Sequence, residues 1–433
     1  SQPADTPAQA PPDTSAYGRL RVDFRNYVFS EAFREAASRS ENPTDKFNPV
    51  DAVTDSGQFI ARPYRIHFTA DLIYGSAGYD VIYGVQGVTQ MQFSDLMGNH
   101  QIFLATNLLV DLRNSDYFLS YRYLPRRTDY GLLLFHTARI FLDYSPDGLY
   151  IDYYRYRTYG LGMSMSYPLD RFRRVDADLS WVAISRTNLS SPLSEPVQRI
   201  SFLYPALTYT VDRSIWGYTT PVRGTRYAIS LTGSPPLWSG SLRFVSLLAD
   251  ARRYWMLGSP WYTFATRLAA GASFGPDAQL YYTGGVEGWL NPIFYYMQFP
   301  ITKLSDFLFA TPILPLRGFD FNEANGNRFV LWNTELRFPL FAAIVPGPVP
   351  ILPLYNLQGV LFVDAAAVFR NGNFRAYQIN NRGEQVFRDL YIGTGFGLRT
   401  ILLGFPLRFD FAWPYDGQRF GKRKTYISIG LDF

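Results

Sequence analysis

The chain has 433 residues, of which 47% are hydrophobic, 17% aromatic and only 18% charged. An average globular protein carries about 25% charged residues, so aromatic side chains take the place of charge in this sequence. Tyr and Trp rings favour the interface between membrane and water, and this balance is typical of a protein whose outer surface faces lipid. The absence of cysteine excludes disulfide scaffolds and thiol chemistry. The net charge of +5 comes from scattered residues rather than a basic stripe, so we expect no nucleic-acid partner.

The longest uncharged stretch, residues 338–363, does not predict a membrane-spanning helix. Such a helix needs about 20 consecutive apolar residues, and the five prolines of this stretch are incompatible with a helix interior. A closed β-barrel is the other architecture that satisfies every backbone polar group in a bilayer. The sequence therefore predicts an all-β protein, an antiparallel transmembrane β-barrel.

The first 62 residues differ from the rest of the chain. Residues 1–16 contain no aromatic side chain and no aliphatic one larger than Ala, which predicts a disordered, Pro-rich linker. Residues 17–62 combine a strand-like VDFRNYVF, a helix-like EAFREAASR and a polar loop, and they predict a short periplasmic segment. We assign residues 63–433 to the barrel.

Alternating hydrophobicity begins at Pro63, in segments separated by turn-forming clusters such as GSAG, RNSD and GSPP. Eleven segments precede Gly275 and five follow Asn327, which predicts sixteen strands. An even number places both chain termini on the periplasmic side. The Tyr-rich run 149–160 predicts an aromatic girdle, with ring stacking on sugars or bases as the alternative. The polar stretch 370–389 predicts a long extracellular loop, and the proline-rich stretch 348–354 is expected on the periplasmic side.

The chain ends in a strand with two different faces. In KTYISIGLDF, small or polar residues and Tyr alternate with Ile, Leu and the final Phe. A strand that ends in a C-terminal Phe resembles the β-signal by which bacterial outer-membrane proteins are recognised by their assembly machinery. The resemblance implies a location in the bacterial outer membrane, and it assigns the β-signal to Tyr426, Ile429, Leu431 and Phe433.

The region after the eleventh strand carries an ordered set of motifs. ATPILPLRGFDFNEANGN contains an Arg-Gly-Phe triplet, RFVLWNTELRFPLF contains Glu-x-Arg-x-Pro, and LFVDAAAVF and PLRFDFAWPYD follow. Together with PVRGTRYAIS upstream, these motifs resemble the BamA, TamA and FhaC superfamily of outer-membrane barrels over residues 60–433. The resemblance implies a sixth extracellular loop folded into the lumen, and a role in helping proteins cross or enter the outer membrane. The residues that match the family's motifs are Arg317, Gly318 and Phe319 at the loop tip, and Glu335 and Asp364 after the loop; together they form the predicted loop lock.

A physical argument leads to the same residues. A buried Arg is tolerated when its planar fork of donors is paired with carboxylates. Glu335 and Asp364 lie on the two strands after the loop, at positions where period-two alternation points them into the lumen. We therefore predict that Arg317 bridges both carboxylates and that Gly318 allows the tight turn of the loop tip. The alternative is a set of lumen-facing charges solvated by water.

The sequence departs from the insertases and two-partner translocases, which carry periplasmic POTRA domains. Residues 1–60 are too short for one, so we expect a subunit of a larger assembly or translocation complex, with periplasmic or outer-membrane protein partners, outer-membrane lipid and lipopolysaccharide. NYVF and RPYRIHFTADLIYG resemble barrels that follow TolB-like propellers in long Bacteroidota-type chains. The alternatives are a structural anchor for a periplasmic or surface complex, and a plugged diffusion pore.

Motifs for enzymatic chemistry are few. The GxSxG match at Gly271, Ser273 and Gly275 ends an alternating strand, whereas a hydrolase places its Ser on a strand-to-helix turn. His67, His100 and His136 are too widely spaced to form a recognisable metal or triad motif. The sequence therefore predicts no catalytic residues, no cofactor and no metal site.

Overall fold

The computed structural model describes residues 64–80, 84–109, 112–144, 151–190, 196–217, 220–295, 304–340, 357–402 and 405–430. Contacts between Cα atoms divide the chain into Ser1–Arg65 and Ile66–Phe433. The predicted linker and periplasmic segment, 1–16 and 17–62, lie outside the described residues, as do Leu431, Phe433 and the stretch 348–354.

The described elements are almost entirely β-strands. One helical turn, α1, spans Asp306–Phe309, and a 3₁₀ turn spans Leu112–Asn114. In chain order the strands are β1 Phe68–Asp80, β2 Gly84–Asp95, β3 His100–Leu109, β4 Asp116–Tyr123, β5 Asp129–Tyr144, β6 Ile151–Pro168, β7 Arg173–Asn188, β8 Gln198–Asp212, β9 Ile215–Trp216, β10 Pro221–Ser234, β11 Phe244–Leu257, β12 Ser259–Phe274, β13 Tyr281–Thr283, β14 Thr311–Ile313, β15 Ala324–Gly326, β16 Arg328–Pro339, β17 Gln358–Phe369, β18 Tyr377–Ile379, β19 Gln385–Phe387, β20 Leu390–Leu402, β21 Phe405–Tyr415 and β22 Lys424–Ile429.

Seventeen of the described strands form one sheet in which every ladder is antiparallel, so the predicted all-β, antiparallel class is confirmed. Apart from the two-residue β9, the strands of this sheet are 6 to 18 residues long. Long strands that follow one another along the chain pair side by side. Asn333 on β16, for example, pairs with Asp364 on β17. Two small sheets, β14-β13-β15 and β18-β19, lie in the connections between long strands.

Side chains alternate between the two faces of the sheet. On β16, Phe329 and Leu331 are buried, whereas Val330 and Trp332 are 44% and 47% exposed. This alternation follows from the two-residue period of a strand. One face therefore packs a core while the other presents large apolar side chains outward, which is the arrangement that a lipid environment favours. Among the described residues there is no helix with the length and hydrophobicity needed to span a membrane.

The core lies between the buried face of the sheet and the long connection from β12 to β16, residues 276–326. Tyr281, Ile313, Leu316 and Phe319 of this connection pack against buried side chains of β12, β16 and β17. Farther along the sheet, Phe309 packs against β7, β8 and β11 and the Leu242 turn. Burial of these aromatic and aliphatic side chains holds the connection against the sheet.

Three regions differ from the sequence-based expectations. The polar stretch 370–389 contains the β18–β19 hairpin rather than only loop. The last described strand ends at Ile429, and Gly430 follows at φ 144°. Within the described strands, β1 pairs with β2 and β22 pairs with β21, and no ladder joins β1 to β22. Part of the free edge of β22 is instead bonded to the backbone of residues 288–290.

Candidate functional site

Arg317 of the connection packs against the buried face of the paired strands β16 and β17. Its Nε and Nη2 donate to the two oxygens of Asp364 at 2.7 and 2.8 Å, and its backbone N–H donates to Asp364 Oδ2 at 3.0 Å. Its Nη1 donates to Glu335 Oε1 at 2.8 Å. The structure thus brings together the three charged residues that the sequence analysis singled out. Two parallel bonds to one carboxylate fix the orientation of the guanidinium plane.

A second layer of side chains holds the two carboxylates. Arg337 donates through Nε and Nη2 to Glu335 Oε2 at 2.9 and 2.7 Å. Asn333 Nδ2 donates to Asp364 Oδ1 at 2.8 Å and to the carbonyl of Pro315 at 2.7 Å. Neither role was predicted from the sequence, although both residues share the buried face of β16 with Glu335. Two-residue spacing was the signal that could have found them.

Asp410 on β21 extends this arginine network toward the end of the sheet. Its Oδ1 lies 2.9 Å from Arg399 Nη1 and 3.7 Å from Arg317 Nη1. The network therefore sets three guanidinium groups against three carboxylates, all of them almost fully buried. Balanced charge is what a buried ionic cluster requires, because an unpaired ion there would be very costly.

Opposing effects act on the charge of Arg317. Burial disfavours the ionised guanidinium, but the charges of Asp364 and Glu335 outweigh burial and raise the pKa of Arg317 well above its usual value. The guanidinium carbon also lies 3.5 Å from the centre of the Phe362 ring, a favourable cation–π contact. Arg317 is therefore held as a permanent cation.

The loop tip after Arg317 contacts the last strand. Gly318 has φ 105°, a conformation that L side chains rarely adopt, in agreement with the predicted tight turn. Phe319 is buried and meets the Tyr391 ring edge-on at 5.4 Å. Tyr426 Oη accepts a hydrogen bond from the N–H of Gly318 and donates one to the carbonyl of Phe319. The loop tip is thus fixed to β22 as well as to β16 and β17.

A glycine on β20 makes the close approach of Arg317 possible. A Cβ added at Gly393 would lie 1.8 Å from the backbone oxygen of Arg317. No side chain fits in that gap, so the strand must carry Gly where the loop backbone crosses it. The sequence analysis did not identify this position, because a glycine within a strand is not distinctive by itself.

Two of the four residues assigned to the β-signal, Tyr426 and Ile429, lie within the described residues. Tyr426 points into the core, and Ile429 points outward and is 37% exposed. Leu431 and Phe433 lie outside the described residues. Their recognition by an assembly machine stays a prediction.

Ser273, His100 and His136, which were weighed for enzymatic or metal chemistry, have structural contacts. Ser273 Oγ bonds to Ser246 Oγ at 2.7 Å and accepts from the N–H of Gln279. His100 Nδ1 lies 2.7 Å from Tyr121 Oη, and His136 Nδ1 lies 2.9 Å from the carbonyl of Ser115. In the Tyr-rich run, Tyr153 is exposed while Tyr154 and Tyr156 are buried. Across the described ranges, no group of three or more metal-ligating side chains is present.

A polar cavity of about 290 Å³ lies beside the network. Glu335 and Asp410 line the cavity together with one arginine from each of four strands: Arg252, Arg267, Arg399 and Arg408. Most of these side chains are bonded to neighbouring carboxylates or carbonyls, for example Arg267 to Asp250 and to the carbonyl of Leu314. These bonds fix the connection 276–326 and the strands relative to one another.

One solved structure shows the same fold, and two others match less closely. BamA from Haemophilus ducreyi lacking POTRA domains 1–3 matches with a TM-score of 0.52 at 18% identity, over 84% of this chain and 71% of that chain. CdiB from Acinetobacter baumannii gives 0.47 at 15% identity, covering 84% and 59%, and CdiB from Escherichia coli gives 0.46 at 12%, covering 86% and 64%. The chain therefore spans less than two thirds of either CdiB chain.

Two further comparisons concern the sequence itself. No curated protein matches the chain. A family model described as the Omp85 superfamily domain matches residues 109–433, which is most of the sequence and includes every residue of the arginine network. The resemblance noted from the Arg-Gly-Phe region is thereby confirmed, and the chain belongs to the Omp85 superfamily.

Proposed function

We propose that this chain is the outer-membrane barrel subunit of a protein assembly or translocation complex. Its sheet closes into a sixteen-stranded barrel, residues 63–433, with the connection 276–326 inside as the sixth extracellular loop. Omp85 proteins are transport and assembly barrels of the bacterial outer membrane, and this chain is located in that membrane. The outward apolar side chains of the sheet support lipid, including lipopolysaccharide, as its surroundings.

The arginine network carries the proposal. A buried cluster of three arginines and three carboxylates is an expensive way to stabilise a fold, because apolar side chains of similar volume would serve as well or better. Their value lies in specificity, since only one placement of the loop tip satisfies Arg317, Glu335 and Asp364 together. A loop held at a fixed position inside a barrel suits a protein that guides other chains, and it obstructs free diffusion.

Protein partners and the absence of catalysis are parts of the same proposal. BamA is similar in fold, and this chain is proposed to work, as an Omp85 protein, with protein partners and substrates. The loop region consists of paired arginines and carboxylates rather than a nucleophile beside a base, which supports a binding role over an enzymatic one.

Depletion of the protein in its own bacterium tests the proposal. We expect depletion to lower the amounts of other outer-membrane barrels or of secreted proteins, measured by quantitative proteomics of membrane and medium. Complementation with Arg317→Ala should fail, whereas Arg382→Ala, at an exposed hairpin position, should restore both. Unchanged amounts after depletion would contradict an assembly or translocation role.

Native mass spectrometry separates the alternatives. A stable partner together with altered membrane or secreted proteins supports the complex subunit. A stable partner with no such alteration indicates an anchor. A lone chain of about 49.5 kDa that conducts steadily in planar bilayers indicates a pore.

A further inference from the structure

The free edge of the last strand is partly covered by the chain itself. The N–H of Leu290 donates to the carbonyl of Ile427 at 2.9 Å, and the N–H of Ile429 donates to the carbonyl of Gly288 at 3.0 Å. Trp289 and Ser428 are thus paired as in an antiparallel ladder, on the side of β22 opposite β21. We call residues 286–290 the edge segment.

Gly288 is required for this close approach. It has φ 66°, and a Cβ added there would lie 1.9 Å from the carbonyl oxygen of Ile429. Any other residue would push the edge segment away from β22 at the point where their hydrogen bonds form.

Side chains on both sides of Gly288 hold the edge segment in place. Val286 is buried against Phe362, Ala412 and Tyr426. The Trp289 ring meets the Tyr426 ring edge-on, with centroids 4.7 Å apart. Arg408 of β21 donates to the carbonyl of Glu287 and to Ser428 Oγ. A strand pairing of only two hydrogen bonds is thereby stabilised by packing and by a charged donor.

The same backbone groups of β22 would be needed to close a barrel. The carbonyl of Ile427 and the N–H of Ile429 point to the free edge, where a first strand would have to pair. The other open edge of the described sheet is β1, whose side chains at 68–77 are exposed. An edge with unpaired groups accepts whichever strand reaches it, so the two candidates compete.

We propose that the edge segment is an intrachain capping strand that occupies the Ile427–Ile429 edge of β22 and excludes β1 from it. The seam of the barrel then has two alternative states: one capped by the edge segment and one in which β1 pairs along this part of β22. The state of the seam is set by a segment of the same loop that carries Arg317. This inference goes beyond the proposed role in assembly or translocation, and its tests do not depend on that role.

Disulfide trapping tests the capped state, and the absence of native cysteine makes the readout clean. Leu290 and Ile427 are opposite one another and both exposed, and opposite residues in an antiparallel pair are about 4.5–5.5 Å apart between Cα atoms, which suits a disulfide. Leu336→Cys/Leu361→Cys, on the outward face of β16 and β17, is the matched control pair. We expect both pairs to oxidise in the purified protein. Failure of the 290/427 pair while the control pair forms would overturn the capped state.

Two variants weaken the cap without touching the cysteines. Gly288→Val should greatly reduce the 290/427 disulfide and leave the control disulfide unchanged. Trp289→Ala keeps the backbone and removes the ring packing on Tyr426 and Phe321, so it gives the same comparison if Gly288→Val does not fold. Unchanged 290/427 yield in both variants would show that these contacts do not hold the segment.

Photo-cross-linking tests the competition. A benzophenone amino acid at Ile73, exposed on β1, should give products with residues 427–430 in the Gly288→Val background. Oxidation of Leu290→Cys/Ile427→Cys in the Gly288 protein should abolish those products. Products of equal yield with the cap locked would show that β1 and the edge segment do not exclude each other, and the proposal would fail.

Discussion

The hydroxyl of Tyr426 lies 2.8 Å from the backbone nitrogen of Gly318, although the two residues are 108 positions apart in the chain. The same hydroxyl donates to the carbonyl of Phe319 at 2.9 Å. One phenol thus bonds to two backbone groups of the turn that follows Arg317. The last described strand therefore takes part in positioning the loop tip.

Tyr426→Phe is expected to loosen the loop tip while preserving the aromatic packing against Trp289. The substitution leaves the buried N–H of Gly318 without its acceptor, and an unsatisfied buried donor costs about 1–3 kcal/mol. We expect a lower unfolding temperature in detergent, measured by the heat-dependent shift in gel mobility. Tyr153→Phe, at an exposed position of β6, is the control. An equal loss of unfolding temperature in both variants would show that the hydroxyl of Tyr426 does not stabilise the loop tip.

Arg317→Ala is expected to be more damaging than a loss of one ion pair. It leaves Glu335 and Asp364 buried without their shared cation, and breaking a buried pair typically costs about 3–5 kcal/mol. Arg317→Lys keeps the charge but cannot bond to both carboxylates with a planar fork, so we expect an intermediate loss. The unfolding temperatures of Arg317→Ala, Arg317→Lys and the control Arg382→Ala give this order of stability. A lysine variant as stable as the native protein would show that charge alone holds the tip.

Several parts of this site could be predicted from the sequence. Period-two alternation on RFVLWNTELRFP and LFVDAAAVF placed Glu335 and Asp364 on the same face of two strands, and in the structure both are buried on paired strands. The requirement that a buried Arg meets carboxylates then named Arg317 as their partner. Local pattern and charge balance were sufficient because each residue lies within a regular strand or in a short loop motif.

Other parts could not be predicted, because they depend on where distant segments meet. From the sequence, Tyr426 was predicted only as part of a terminal recognition signal. Alternation indicates which face of a strand a residue lies on, but not which distant segment packs against that face. The edge segment lies in an irregular loop, so no periodicity indicated that residues 288–290 pair with β22. The β18–β19 strands are only three residues long, too short for alternation to be visible in a polar stretch.

Gly393→Ala tests the crossing of the loop over β20. Its Cβ would lie 1.8 Å from the backbone oxygen of Arg317, so the loop or the strand has to shift. Overpacking of this kind typically costs about 1–3 kcal/mol. Gly75→Ala on β1 is the matched control, because no atom lies within 4 Å of its added Cβ. We expect a clear loss of thermal stability for Gly393→Ala and little change for Gly75→Ala. Equal behaviour of the two alanine variants would contradict the close contact.

Two carboxylates in the loops, Glu323 and Asp170, should change the stability of the protein with pH in opposite directions. Burial raises the pKa of Glu323 above its usual value, against the lowering effects of the Asp320 N–H and of Lys424. Its stabilising contribution is present below the unfolded pKa and is lost as pH rises through the folded pKa. Glu323→Gln stays neutral, so its stability relative to the native protein should increase as pH rises above the unfolded pKa of Glu323.

Asp170, in the turn between β6 and β7, should behave in the opposite way. The Phe172 N–H and the Arg173 side chain bond to its carboxylate and lower the pKa of Asp170. Its contribution is therefore present above the unfolded pKa and is lost as pH falls through the folded pKa. Asp170→Asn should be less stable than the native protein near pH 7, and the difference should shrink toward low pH. Thermal unfolding of both variants between pH 3 and 8 gives the comparison, and curves with slopes of the same sign would contradict the burial of Glu323 or the bonding of Asp170.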